Sequence, residues 1–245
     1  MDMSVPAAAL AESGDCSALP VGDHRVRVAE QKRERMRERL IDATMAAYLG
    51  CEPDRHPVVE DVIRIADVSR GSFYKHFDAI DSVFAEIGRR MAQEMLSSYV
   101  HLAAPLTDGA ARIALGPLMA LARSAMEPRH GAFISRVDFI DFLASNQSRG
   151  NLVALRLQDG RARGELHFES VDAAVDLVVG LSLEGARRIL RTRTLDGAYI
   201  RELAAMVLRG LGVPPPDADR AVALAWQRLV DEAASLHWWR PVGPA

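Results

Sequence analysis

The sequence predicts an all-α fold, and three observations support this prediction. Apolar residues recur at spacings of three and four along each periodic segment, which is the pattern of a helix with one buried face. No segment alternates apolar and polar residues in the manner of a half-buried strand. The chain of 245 residues, of which 49 % are hydrophobic and 26 % charged, is long enough to bury a sizeable globular core.

Simple features of the chain exclude several classes of protein. No apolar run reaches the roughly 18–20 residues that span a bilayer, so no membrane partner is expected. The first ten residues contain no Lys or Arg, which argues against a secretory leader and for a cytoplasmic protein. Cys16 and Cys51 are too few and too far apart for a disulfide framework or a zinc site, and we expect neither a metal nor a cofactor.

The N-terminal region changes its charge sharply near His24. Residues 1–24 are without periodicity, contain four acidic residues and no Lys or Arg, and are predicted to be a disordered tail. Seven Lys or Arg and three acidic residues follow at positions 24–40. This block is either a solvated helix face or a surface that attracts phosphates. The first helix is predicted from about Glu30 to Leu49, where Gly50 ends it.

Two short helices joined by a tight turn are predicted next. The first begins at Pro57 or Val58 and ends before Asp67. Ser69 is a suitable N-cap for the second, over residues 70–77, because its hydroxyl can accept a hydrogen bond from an amide of the first turn. Such a pair is a helix-turn-helix, whose second helix can enter the major groove of DNA.

The second of these short helices has one apolar and one polar face. Phe73 and Phe77 are four residues apart and are predicted to point inward. The other faces then present Arg70 and Lys75 together with hydroxyl and imidazole groups, which can donate to base edges and phosphate oxygens. Spacing alone does not distinguish a DNA-binding face from a basic face that is only solvated.

The rest of the chain is also predicted to be helical. The fourth helix runs from Asp78 or Asp81 towards Leu102. Further periodic segments cover residues 108–126, 131–146, 150–159, 171–192, 197–211 and 217–237. Breaks are expected at Gly116–Pro117, Pro128, Gly150, 160–164, Gly197 and 214–216.

Three stretches of the N-terminal region, in this order and spacing, resemble the DNA-binding domain of the tetracycline-repressor (TetR) family. They are RERMRERLIDA at 33–43, VEDV at 59–62 and VSRGSFYKHF at 68–77. The resemblance covers about residues 30–90. It implies a homodimeric transcriptional regulator, usually a repressor, that binds a palindromic operator in double-stranded DNA. It also implies a larger helical domain that binds a small-molecule effector and dimerises. We therefore predict a tail at 1–24, a helix-turn-helix domain at 25–90 and an effector-binding and dimerisation domain at 91–245.

The resemblance also assigns roles to individual residues. Arg70 and Lys75 match positions that face base edges or phosphates, while Ser72 and Tyr74 match phosphate contacts and His76 lies at the rim. Arg25 and Arg27 precede the predicted first helix. We expect them to form an arm that lies over the DNA backbone or in a narrow minor groove. The predicted DNA-binding set is Ser69, Arg70, Gly71, Ser72, Tyr74, Lys75, His76, Arg25 and Arg27.

Three positions depart from the family pattern. Ile63 stands where a small residue is usual, Asp67 replaces the turn glycine, and Ile80 replaces a common lysine. Because aspartate adopts the left-handed conformation at modest cost, we expect the turn to survive. One phosphate contact is expected to be absent.

The C-terminal half is less specific in sequence. An effector pocket is expected among residues 108–192, lined by aromatic and a few polar side chains, although the same phenylalanines could be ordinary core. The candidates are Phe133, Arg136, Phe139 and Phe142. Small and apolar residues on more than one face of the helix at 171–191 predict a dimer interface. The helix from Asp217 closes the core, caps the pocket or enlarges that interface.

No enzymatic activity is predicted. The chain has no nucleophile elbow, zinc-protease histidine pair, phosphate-binding loop or dinucleotide fingerprint. Two alternatives to a ligand-responsive repressor remain: a helical adaptor that has lost DNA binding, and a transcriptional activator of the same fold. The sequence does not identify the effector or the operator.

Overall fold

The computed structural model describes residues 21–51, 55–136, 152–193 and 196–240, and within these ranges the chain is helical and has no strand. The all-α prediction is therefore confirmed. The helices in chain order are α1 (Val21–Gly50), α2 (Val59–Ala66), α3 (Arg70–Tyr74), α4 (Ile80–Ala103), α5 (Gly109–Met126), α6 (Pro128–Arg136), α7 (Leu152–Ala162), α8 (Val171–Thr192), α9 (Gly197–Gly210) and α10 (Pro215–Asp231), followed by a 3₁₀ turn (Ala233–Ser235).

Side-chain caps start several helices at or next to the predicted positions. Asp108 Oδ1 accepts a hydrogen bond of 2.8 Å from a first-turn amide of α5. Ser170 and Asp196 cap α8 and α9 in the same way, at 3.2 Å and 2.9 Å. Each cap satisfies an amide that has no partner within its own helix, so short polar residues in the sequence locate these helix starts well.

Some helix boundaries differ from the predictions. The helix α1 begins at Val21, within the predicted tail, and α3 ends at Tyr74, three residues early. The helix α4 starts at Ile80 with Ala79 as its N-cap, in place of either predicted aspartate. The predicted helix at 131–146 is described only as far as residue 136, and the break at Gly150 lies outside the described residues.

The predicted break at Gly116–Pro117 is wrong, because α5 continues through it. Most residues of α5 are buried, and the helix packs against α4 and against each of α6–α10. Packing on all sides therefore holds the helix together, although Pro117 lacks the N–H of one backbone hydrogen bond. The last helix is also shorter than the predicted segment at 217–237, since α10 ends at Asp231. A 3₁₀ turn follows, and Trp238 beyond it is buried in the core.

Two hydrophobic cores organise the described residues. The N-terminal core joins α1–α4 through side chains such as Leu40, Val62 and Phe73, and it includes Phe133 and Ile134 of α6. The C-terminal core surrounds α5 and takes side chains from α4 and α7–α10, and it also contains Trp238. The helix α4 contributes to both cores, since Ile87 lies in the N-terminal core and Leu102 in the C-terminal core, and α6 contributes to the N-terminal core. None of the described helices is long and apolar enough to cross a membrane.

Candidate nucleic-acid interface and apolar cavity

The turn between α2 and α3 fixes the relative position of these helices. Asp67 ends α2 in the left-handed conformation, with φ of 49° and ψ of 57°. The N–H of Val68 donates to Ile63 O at 3.1 Å. Ser69 Oγ then accepts a hydrogen bond of 3.1 Å from the N–H of Ser72 and starts α3. The prediction that aspartate serves in place of the usual turn glycine is confirmed.

Two phenylalanines attach α3 to the N-terminal core. Phe73 is fully buried, Phe77 is 5 % exposed, and their ring centroids lie 6.2 Å apart. Ile63 is partly buried and packs against the same core, so this larger residue does not prevent contact between α2 and α3. With its apolar face buried in this way, α3 turns its polar face to solvent.

The polar face of α3 and the residues that flank this helix carry seven of the nine residues predicted to contact DNA. All seven are at least partly exposed: Ser69, Arg70, Gly71, Ser72, Tyr74, Lys75 and His76. Arg70 Nη1 lies 3.0 Å from Glu60 Oε1, and the Arg70 guanidinium lies 5.7 Å from the centroid of the Tyr74 ring. The guanidinium is thus held at the surface by an exposed carboxylate.

A basic groove runs between α1 and the C-terminal end of α3. Its lining consists of Lys32, Arg33, Met36, Ser72, Lys75 and His76. Burial, together with the charges of Arg33, Arg37 and Lys75, lowers the pKa of His76, so this imidazole is neutral at pH 7. The groove can therefore offer Lys and Arg cations and a hydroxyl to an anion such as a phosphate.

Arg37 connects α1 to the end of α3, a contact that the sequence analysis missed. Its Nη1 donates to His76 O at 2.9 Å, and its guanidinium carbon lies 4.4 Å from the Phe77 ring centroid. Helical spacing could have indicated this role, because Arg33 and Arg37 are four residues apart and share one face of α1. The basic block is thus partly structural and partly an anion-attracting surface.

Two further predictions concern charge near this surface. Arg25 and Arg27 were expected to precede the first helix as an arm, but α1 begins at Val21 and both lie within it. That part of the prediction is wrong, and any DNA contact by these residues would come from a helix. Ile80 is the first residue of α4 and packs partly buried against the N-terminal core, so this position presents no cation.

A cavity of about 240 Å³ lies between the two cores. Side chains from α4, α5, α6, α7 and α8 line it, and most of them are apolar. The principal lining residues are Met91, Met95, Leu96, Tyr99, Ile113, Pro117, Met119, His130, Ile134, Val153, Arg156, Leu157, Val178, Val179, Ser182 and Leu183. A mainly apolar cavity with few polar groups is the usual form of a small-molecule site.

Four of the lining residues have polar side chains. Tyr99 Oη donates to Arg112 O at 3.0 Å, and Ser182 Oγ donates to Val178 O at 2.6 Å. Burial and the nearby charge of Arg123 lower the pKa of His130 to about 3, so its ring is neutral. Arg156 is exposed. Within the described ranges, no cluster of three or more His, Cys, Asp and Glu residues could hold a metal ion.

Of the residues predicted to line an effector pocket, Phe133 is the one whose side chain the structure describes, and it does not line this cavity. Phe133 is fully buried in the N-terminal core, with ring centroids 5.6 Å from Tyr48 and 6.3 Å from Phe84. Arg136 ends α6, and Phe139 and Phe142 lie outside the described residues. The phenylalanine of α6 thus packs as core, which was the alternative that its helical spacing left open.

The helix α6 contacts both the cavity and the N-terminal core. His130 and Ile134, four residues apart, line the cavity, while Phe133 contacts Tyr48 of α1 and Phe84 of α4. Arg187 of α8 donates through Nε and Nη2 to the carbonyl oxygen of Ser135, at 3.1 Å and 2.9 Å. A shift of α6 would therefore change the packing of the N-terminal core, which positions α3.

The described fold is similar to that of several solved structures. RolR bound to resorcinol matches with a TM-score of 0.59 and 21 % identity, over 79 % of this chain and 96 % of that one. RolR without ligand matches with a TM-score of 0.55 and 18 % identity, over 76 % and 96 % of the two chains. An ArpA-like gamma-butyrolactone receptor matches with a TM-score of 0.51 and 18 % identity, over 82 % and 99 %.

No protein-family profile and no curated protein sequence matches the chain. The similarity thus lies in the arrangement of helices along nearly the whole length of these neighbours. RolR and the ArpA-like receptors are TetR-family regulators. The chain therefore has the fold of the TetR-family regulators, as the three N-terminal stretches predicted.

Proposed function

We propose that the chain is a cytoplasmic regulator of transcription, most simply a repressor, that reads DNA with α3 and is controlled by a ligand in the cavity between the cores. The observation that carries this proposal is the position of α6. One helix lines the cavity with His130 and Ile134 and inserts Phe133 into the core that holds α3. A DNA-reading helix and a small-molecule site thus share one structural support.

On the DNA side, Arg70 and Lys75 are proposed to reach base edges or nearby phosphates from the polar face of α3. Arginine can donate two hydrogen bonds to guanine, which is the commonest specific contact in a major groove. Ser72 and Tyr74 would hold the DNA backbone. Lys32 and Arg33 line the groove beside Lys75 and would supply the phosphate contact that Ile80 does not.

The chain is proposed to act as a homodimer, since a single helix as short as α3 reads too few bases for a specific site. Leu177 of α8 packs against Gly210 of α9, and Met206 on the same side of α9 is 49 % exposed. This surface, with the open position at Gly180, would pack against the same surface of a second copy. A two-fold dimer places two reading helices on an inverted repeat.

The ligand would act by changing the population of two conformations. RolR has resorcinol as its ligand, and a cavity of about 240 Å³ suits a molecule of that size class. A ligand that prefers one position of α6 would favour one spacing of the two reading helices. Its effect on DNA affinity can be no larger than its difference in affinity for the two conformations.

The proposal is tested by titrating purified, ligand-free protein into a fluorescent duplex at several salt concentrations, with light scattering of the complex. We expect binding that weakens steeply with salt and a complex that contains two chains of 26.8 kDa for each duplex. Negligible binding at low salt would contradict the proposal and favour a helical adaptor. A single chain on each duplex would contradict the dimer.

A further inference from the structure

The cations of the basic groove differ from most of those around it in their pairing. Lys32, Arg33 and Lys75 are exposed and line the groove. Among the described residues, no carboxylate lies within ion-pair distance of any of the three. By contrast, Arg70 on the adjoining face of α3 lies 3.0 Å from Glu60. Because like charges that are held together repel one another, the groove favours an anionic occupant.

An acidic segment of the chain leads into α1 on the side of this groove. Residues 1–20 precede the first described residue and contain no Lys, Arg or His, but three acids: Asp2, Glu12 and Asp15. The helix α1 begins at Val21, and Lys32 lies eleven residues further along it. Eleven residues make about three turns, so these two positions share one side of the helix and lie about 16 Å apart.

The acidic segment is long enough to reach the groove. An extended chain spans up to about 3.3 Å for each residue, so Asp15, six residues before Val21, can lie up to about 20 Å from the start of α1. Glu12 can lie up to about 30 Å from it. Both lengths exceed the distance to Lys32. Because the segment belongs to the same chain, its effective concentration at the groove is in the millimolar range, which favours contact even when each ion pair is weak.

We propose that the acidic segment at 1–20 occupies the basic groove of its own chain and competes there with the DNA backbone. The carboxylates of Glu12 and Asp15 take the place of phosphate oxygens at Lys32 and Lys75. This inference rests on the proposed function, which assigns the groove to phosphate contacts. Since such contacts carry no sequence information, the segment weakens binding to all duplexes by a similar factor.

The occupant of the groove is measured on the full chain without DNA. Cys51→Ser leaves Cys16 as the one cysteine of the chain, and a nitroxide attached there broadens the NMR amide signals of nearby residues. At low salt we expect stronger broadening at Lys75 and His76 than at Arg220 of α10, with recovery at high salt as the charges are screened. Equal broadening at the groove and at α10, or broadening that salt does not change, would overturn the proposal.

Two sets of substitutions test whether charge holds the segment in place. The first set neutralises the segment and should abolish the broadening: Asp2→Asn, Glu12→Gln and Asp15→Asn. The matched control set keeps the charge and should retain the broadening: Ser13→Ala and Ser17→Ala. A neutralised segment that still broadens the groove signals would contradict an electrostatic contact.

A mixture of chains distinguishes the chain's own groove from that of a second copy. Nitroxide-labelled chains without isotope are mixed with isotope-labelled chains without nitroxide. The proposal predicts no broadening at Lys75 and His76 in this mixture, since label and groove are then on different chains. Broadening between chains would assign the groove to the segment of a second copy and overturn the proposal.

Competition is measured by titration of a fluorescent duplex. At about 50 mM salt the neutralised chain should bind about fivefold more tightly than the unaltered chain, as expected for the release of two exposed ion pairs. The difference should shrink by about 200 mM salt. When Lys32→Ala and Lys75→Ala are also present, neutralisation should change the affinity little.

The duplex titration has two results that would refute competition. One is equal affinity of the neutralised and unaltered chains, and the other is a fivefold gain of about the same size in the Lys32→Ala, Lys75→Ala background, which would reflect net charge alone. If no form of the chain binds DNA, the proposed function fails, while the nitroxide measurement still determines what occupies the groove.

Discussion

The proposed DNA-facing surface and the cavity are built in opposite ways. The first is formed mostly by one continuous stretch of chain, since α2, the turn at Asp67 and α3 lie within residues 59–74. The second is assembled from five helices that are distant in sequence. Local hydrogen bonds and two buried phenylalanines fix the first, while tertiary packing alone defines the second. A local site leaves a sequence signature, whereas a dispersed cavity leaves only helical periodicity.

The largest expected effect comes from removing the anchor of the DNA-facing surface. Phe73→Ala deletes a fully buried ring from the N-terminal core and should lower the free energy of unfolding by about 3–5 kcal/mol. Duplex binding should be lost with it. As a control, Met95→Ala at the cavity wall should cost much less, because this side chain already borders empty space. Urea unfolding measures the free energy of unfolding of both variants. Similar losses of stability would contradict the difference between a fixed local surface and a loosely packed cavity wall.

A smaller effect is expected from the basic groove. Lys32→Ala combined with Lys75→Ala removes two cations of the groove and should flatten the plot of log affinity against log salt by about 2 units, because each phosphate contact contributes about 0.9. Urea unfolding should be unchanged. The matched control is Arg220→Ala on α10, an exposed cation far from the groove. An unchanged salt slope in the double variant would show that the groove does not contact phosphates.

The buried imidazole of His130 should make the stability of the chain depend on pH. Its pKa is about 3 in the folded chain and about 6.5 when unfolded. Below pH 6.5 the unfolded chain binds a proton that the folded chain does not, so stability falls as pH falls towards 3. Between about pH 7.5 and 5.5 the loss from this residue is about 1.4 kcal/mol. His130→Phe should lack this component in urea titrations, and an identical pH dependence in both proteins would argue against a buried neutral imidazole.

The smallest effect concerns the turn. Asp67 has φ of 49°, a conformation that glycine adopts without steric cost. Asp67→Gly should therefore raise the free energy of unfolding by roughly 0.5–1 kcal/mol, partly offset by the loss of the weak Arg39 contact at 3.8 Å. Asp67→Ala keeps the strain and loses the carboxylate, so it should be less stable than Asp67→Gly in thermal unfolding. The reverse order would mean that the turn carries no strain.

The sequence predicted the helix-turn-helix closely because its determinants are local. The N-cap at Ser69, the inward pair Phe73 and Phe77, and the turn at Asp67 can all be inferred from neighbours along the chain. The continuation of α5 through Pro117 could not be predicted, since it depends on burial by six other helices. A pocket was expected among residues 108–192, but its lining could not be predicted for the same reason. Phe133 was assigned to the pocket although its partners are in α1 and α4.

The central claim is that α3 reads a specific DNA sequence, and selection of fragments from the source genome tests it most directly. Ligand-free protein and Arg70→Ala are incubated in parallel with sheared genomic DNA, and bound fragments are sequenced. We predict that the unaltered protein enriches an inverted repeat and that Arg70→Ala loses preference at one base pair of each half-site while it retains non-specific binding. Enrichment of no common sequence, or of the same sequence with equal preference by both proteins, would contradict the claim.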